Sequence, residues 1–154
     1  MTVPSDPVPA DEPSVIQWNA VFRGATAGLF FLVLASVLDA ILDRSIDNYR
    51  DSGWIYPLFI LILFGYTLGG FGAGRLVPQA ALSNGLLAGI GAFVLWIPVR
   101  IVIWLVRDEN RGLFTGHSPA LRPGQIFGHL VIAAALGMFG GFLGARSINR
   151  AAGS

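Results

Sequence analysis

Residues 54–76 read WIYPLFILILFGYTLGGFGAGRL, a run whose only charged side chain is Arg75. Coiled into a helix at about 1.5 Å per residue, it is long enough to cross a hydrocarbon core of about 30 Å. Trp54 and Tyr56 open the run and Arg75 closes it; aromatic and cationic groups of this kind settle at the headgroup level of a bilayer. Working outward, three more apolar runs appear at about 21–42, 82–106 and 124–145, with Trp18 just ahead of the first and Trp104 and Arg107 closing the third. The expected fold is all-α: a polytopic membrane protein of four transmembrane helices.

Composition points the same way. Of the 154 residues 54% are hydrophobic and 12% charged, with a mean hydropathy of +0.66, whereas an average soluble domain is about 25% charged. Four spans leave little chain for anything else. Residues 1–17 form an acidic, Pro-rich tail (Pro4, Asp6, Pro7, Pro9, Asp11, Glu12, Pro13) too polar to bury a core. With no basic n-region, the tail does not read as a secretory signal. The transmembrane domain is expected over 18–146 and a short tail over 147–154. All ten basic residues are arginine and there is no cysteine, which excludes disulfides, thiolate metal sites and thiol catalysis. A net charge of +1 gives no basic footprint for nucleic acid.

The spans pair into two similar units, about 21–76 and 82–146. Gly24 to Gly28 at the start of span one matches Gly85 to Gly89 at the start of span three, both reading Gly-x-x-Ala-Gly. The end of span two, Gly69-Gly70-Phe71-Gly72-Ala73-Gly74-Arg75, matches Gly140-Gly141-Phe142-Leu143-Gly144-Ala145-Arg146. A tandem repeat of two helical hairpins is expected. Because both units enter the membrane from the same side, the repeat predicts a two-fold axis along the membrane normal.

On these motifs the chain resembles the small four-helix bacterial membrane proteins whose spans end in a Gly-Gly-x-x-Ala-Gly-Arg type sequence, here Gly69 to Arg75. The second copy departs from it at Leu143 to Arg146, and the long connection 107–123 is not part of the motif. The resemblance implies a four-helix fold in a bacterial cytoplasmic membrane and brings no activity or catalytic residues with it.

Every span carries Gly-x-x-x-Gly, a spacing that puts both glycines on one helix face and lets backbones approach closely. The pairs are Gly24 with Gly28, Gly65 with Gly69, Gly70 with Gly74, Gly85 with Gly89, Gly137 with Gly141 and Gly140 with Gly144. Packing within the bundle is the first use expected for them. An outward-facing glycine such as Gly70 or Gly141 would instead grip a partner helix. Arg75 and Arg146 sit at helix C-termini, where the dipole welcomes a cation and repels a phosphate ligand, so they read as headgroup anchors.

The chemically sharpest positions are ionisable residues inside the apolar runs: Asp39 in span one, Arg100 in span three and His129 in span four. Intramembrane charge needs a partner. The repeat offers one, because Asp39 and Arg100 occupy equivalent positions in the two units. An Asp39–Arg100 ion pair with His129 beside it is expected, with Pro98 available to kink span three nearby.

Nothing else supplies reactive chemistry. His117 and His129 have no His-x-x-x-His context, no span holds paired carboxylates, and no serine sits in a nucleophile elbow. Asp108, Glu109 and His117 read as a solvated loop, so no metal and no cofactor is expected. The expectation is a non-enzymatic integral membrane protein, a structural or accessory subunit packing through its Gly-x-x-x-Gly faces. The alternative is a minimal homo-oligomeric transporter or channel using Asp39, Arg100 and His129. Partners are the lipid bilayer and either further copies of the chain or a larger membrane complex. Both termini lie on one side with Arg23, Arg75, Arg146 and Arg150 and are placed in the cytoplasm, although the opposite loops carry Arg44, Arg50, Arg107, Arg111 and Arg122 and arginine count alone slightly favours the reverse.

Overall fold

A computed structural model describes residues 16–106 and 123–152. Four helices make up the fold: α1 Trp18–Ser45, α2 Ile55–Leu76, α3 Ala81–Val106 and α4 Pro123–Ala152, with single 3-10 turns at Tyr49–Asp51 and Pro78–Ala80. No strand occurs among the described residues. All four helices are long and apolar enough to cross a membrane.

Local chemistry sets the boundaries. The α1–α2 connection turns through Asn48 in the left-handed region and Gly53 at φ +76°, conformations that Asn and Gly adopt at least cost. Pro57 falls in the first turn of α2, where no intrahelical bond needs its missing N–H. Pro78 ends α2 by restricting Val77, and Pro123 occupies the first position of α4. Ser83 and Asn84 lie inside the first turn of α3. Likewise α4 runs on to Ala152 through most of the expected tail. The helix α3 continues unbroken through Pro98.

Large apolar side chains point away from the bundle. Phe22, Phe30, Ile60 and Phe127 are each more than 60% exposed, a surface that water does not tolerate over so many neighbours but that lipid does. Inside, α1 packs on α2 and α3, α4 packs on the same two, and α2 and α3 touch across the middle, while α1 and α4 make no comparable contact. A two-fold axis along the bundle would exchange α1 with α3 and α2 with α4, and so would give α1·α4 the same packing as α2·α3. The expected axis is therefore not present. Instead the second hairpin lies beside the first with the same polarity, α1 parallel to α3 and α2 parallel to α4.

Glycine fixes that arrangement. Within the first hairpin a Cβ on Gly28 would lie 2.9 Å from the Gly65 carbonyl oxygen, and one on Gly69 would lie 2.9 Å from that of Gly24. Between hairpins, Gly24 and Gly28 also abut Ala88 and Ala92. The α2–α4 seam sets Gly70 and Gly74 against the backbone of Gly137 and Gly141. Within the second hairpin a Cβ on Gly85 would meet the Gly137 oxygen at 2.5 Å, and Gly89 abuts Ala133. These contacts cluster toward the end of the bundle where both termini lie. The other half is filled by Leu32, Tyr66, Phe93 and Trp96.

Candidate functional site

The three intramembrane ionisable residues all lie in the aromatic half. Asp39 is on α1 a turn and a half before its end, Arg100 on α3 and His129 on α4. The structure does not join them as one cluster. The Asp39 carboxylate accepts a 2.7 Å hydrogen bond from the hydroxyl of Tyr49, a residue of the α1–α2 connection that folds back and is 5% exposed. Burial first, and then the Asp39 and Asp43 carboxylates, push the ionisation of Tyr49 far above that of a free phenol. Its hydroxyl remains a donor at every physiological pH.

Arg100 belongs to a different group. Its guanidinium lies over the indole of Trp96, 5.1 Å from the ring centroid. His129 meets the same indole edge-on at 5.8 Å and the Phe93 ring at 6.4 Å. The Trp96 Nε1–H donates to Ser36 Oγ at 2.8 Å, and the Ser36 hydroxyl donates to the Leu32 carbonyl at 2.8 Å. One tryptophan thus gathers groups from α1, α3 and α4. Among the described residues no ion pair joins Asp39 to Arg100. The register differs from that expectation: Gly24 and Gly28 of α1 face Ala88 and Ala92 of α3, about one turn out of step with the equivalence that paired Asp39 with Arg100, and the Asp39 carboxylate takes the Tyr49 hydroxyl as a donor.

Trp96, Ser36 and Tyr49 are the residues sequence reasoning missed. A tryptophan in mid-span, rather than at the headgroup level, is the signal that was available. By contrast Trp104, expected near the interface, has its Nε1 buried without a partner among the described residues.

The opposite half holds a second polar feature. Asn84 is fully buried, its Oδ1 accepting from the backbone N–H of Gln17 at 2.8 Å and its Nδ2 donating to the Ala80 carbonyl at 2.9 Å. It ties the start of α1 to the start of α3 and satisfies a backbone donor that a helix N-terminus leaves open.

The twelve glycines singled out by spacing all sit in seams between helices of this chain. A methyl group on Gly140 would run into the Thr67 carbonyl, on Gly144 into that of Phe71, and on Gly65 would lie 2.7 Å from Leu32 Cδ1. Gly70 and Gly141 are accordingly buried rather than outward-facing; they cannot be the surface that grips a partner. Arg75 is exposed at the end of α2, lying over Phe71 at 5.7 Å, whereas Arg146 is exposed within α4, which runs on past it to Ala152 rather than ending there as expected. No grouping of three or more His, Cys, Asp or Glu suited to a metal occurs among the described residues, and Asp108, Glu109 and His117 lie outside them. No protein family, curated protein or solved structure matches the chain, which stands on its own geometry as an all-α protein of four membrane-spanning helices.

Proposed function

We propose that the protein is a non-enzymatic structural or accessory subunit of a membrane assembly, a compact helical post whose outer apolar surface meets partner helices. One observation carries this reading: in the glycine half the helices lie so close that a methyl group has no room between them. A solute path down the axis of one copy has nowhere to run there. The glycine faces build the post, and recognition is left to the outer surface.

The transporter reading rests on the charges inside the spans, which are expensive to keep there and usually serve a pathway. Such a pathway would run between copies, not through one. Mild-detergent affinity capture of the intact chain from its native membrane, followed by native mass spectrometry, separates the two. A stoichiometric larger partner supports the accessory role; a homo-oligomer alone overturns it and sends Asp39, Arg100 and His129 variants to flux assays.

The membrane assigned is the bacterial cytoplasmic membrane, with both termini in the cytoplasm. Because the chain has no cysteine, single replacements at two exposed positions, Ser52→Cys and Gln79→Cys, report topology without background. An impermeant thiol reagent added to whole cells should label the first and spare the second; the reverse pattern inverts the orientation.

A further inference from the structure

At the end of the bundle where α1 begins, α2 ends, α3 begins and α4 ends, the described residues carry Arg23, Arg75, Arg146 and Arg150, all exposed, and no acid. The opposite end is mixed: Asp39, Asp43, Asp47 and Asp51 lie among Arg44, Arg50 and Arg100. We propose that the four-arginine end is a docking surface for the phosphates of anionic lipids, so that the protein selects an acidic leaflet at that face. The inference rests on the helices crossing a bilayer and is independent of whether a partner subunit exists.

Three observations place the cations where phosphates sit. Parallel packing of α2 and α4 brings Arg75 level with Gly144, since a Cβ on Gly144 would lie 2.9 Å from the backbone nitrogen of Arg75. Arg75 and Arg146 therefore leave adjacent helices within about two residues of the same depth. The Arg75 guanidinium is held against the Phe71 ring, which fixes its height near the helix end. Arg23 emerges about a turn and a half inside α1 and Arg150 one turn beyond Arg146, so the four span the headgroup layer from its apolar edge outward. Two helix C-termini present unpaired carbonyls at this end, which alone would repel phosphate. A guanidinium beside them reverses that sign and matches phosphate geometry with two parallel donors. Three acids, Asp6, Asp11 and Glu12, precede α1 in the sequence.

The test uses the full chain in nanodiscs holding equal parts phosphatidylglycerol and phosphatidylcholine, with native mass spectrometry reading the lipids retained on release. The expected result is about fivefold or greater enrichment of phosphatidylglycerol, the weight of one arginine beside an anionic surface. Enrichment should fall as salt is raised. It should disappear in the Arg23→Gln, Arg75→Gln, Arg146→Gln, Arg150→Gln variant and persist in Arg44→Gln, Arg50→Gln. If the quadruple variant does not fold, the two pairs Arg75→Gln, Arg146→Gln and Arg23→Gln, Arg150→Gln are read separately, and each should lose part of the enrichment. Equal retention of both lipids overturns the proposal, as does enrichment that survives loss of the arginines. Enrichment that arises only after Asp6→Asn, Asp11→Asn, Glu12→Gln also overturns it, because the tail then holds the surface. Free inorganic phosphate at millimolar concentration should leave the ratio unchanged; if it abolishes the ratio, the surface is a site for soluble phosphate instead.

Discussion

The two halves of the bundle are held together by opposite means. Toward the termini, α2 and α4 meet through Gly70, Gly74, Gly137 and Gly141 with backbone against backbone. Toward the α1–α2 connection the space between helices is filled by Tyr66, Phe93 and Trp96, with Arg100 and His129 against the indole. In lipid, apolar side chains gain little by leaving the solvent, so association depends on close packing and hydrogen bonds. The glycine half relies chiefly on the first, with the Asn84 bond to Gln17 added, and has almost no freedom to adjust. The aromatic half uses both and can relax by turning a ring. Sensitivity to substitution should differ accordingly.

The largest effect is expected from Gly70→Leu. The first added carbon already meets the carbonyl oxygen, carbonyl carbon and Cα of Gly137, and backbone cannot step aside as a side chain can. Overpacking a core typically costs about 1–3 kcal/mol and more where nothing yields; here the upper end applies. Thermal unfolding followed by size exclusion in detergent should show a midpoint lowered by about 10 °C or no folded protein at all. A wild-type midpoint would mean that α2 and α4 do not pack as described.

Next in size is the removal of the Tyr49 hydroxyl. Tyr49→Phe strips the Asp39 carboxylate of its donor, and an unsatisfied polar group away from water costs about 1–3 kcal/mol. The comparison is sharpest as a pair of double-mutant cycles. Tyr49→Phe with Asp39→Asn should be strongly non-additive, whereas Asp39→Asn with Arg100→Met should add to within about 0.5 kcal/mol, as independent sites do. A large coupling in the second cycle would restore the ion pair that the sequence suggested.

That ion pair marks where sequence reading stops. The four spans were legible because apolar runs of membrane-crossing length are punctuated by Gly53, Pro78 and Pro123, and local chain chemistry is sufficient for that. Which helices touch was not legible. In α4 the pairs Gly137 with Gly141 and Gly140 with Gly144 overlap on neighbouring faces, and both are used, one toward α2 and α3 and the other toward α2 alone. Spacing gives the faces without naming the partner of each. Equivalence of Asp39 and Arg100 within two similar hairpins likewise describes position in a unit, while contact depends on how units are laid together. Tyr49 escaped notice for a simpler reason: a loop residue that folds back under its own helix leaves no periodic trace.

Trp96→Phe probes the aromatic half with a smaller expected effect. The ring is replaced by a ring, so filling is largely kept, and what disappears is the 2.8 Å hydrogen bond to Ser36 and the broader face beneath Arg100. A loss of about 1 kcal/mol is expected, with Ser36→Ala adding little on top because it removes the other end of the same bond. Full additivity of the two changes would show that the indole N–H and the Ser36 hydroxyl do not meet.

The smallest effect should come from Gly128→Ala. Gly128 lies in α4 within the apolar span, yet an added Cβ there finds nothing within 4 Å. Alanine favours helix over glycine by about 0.5–1 kcal/mol in water, and less where the reference state is already helical, so the midpoint should hold steady or rise by a degree or two. Gly140→Ala, three turns along the same helix, is the matched contrast: its methyl runs into the Thr67 carbonyl and should lower the midpoint clearly. The pair separates two reasons for glycine in a membrane helix. If both substitutions prove equally harmful in the purified protein, closeness of the seams is not what makes the glycine half rigid. If Gly128→Ala is harmless in detergent but disrupts assembly in the native membrane, the open face around Gly128 is where another helix docks.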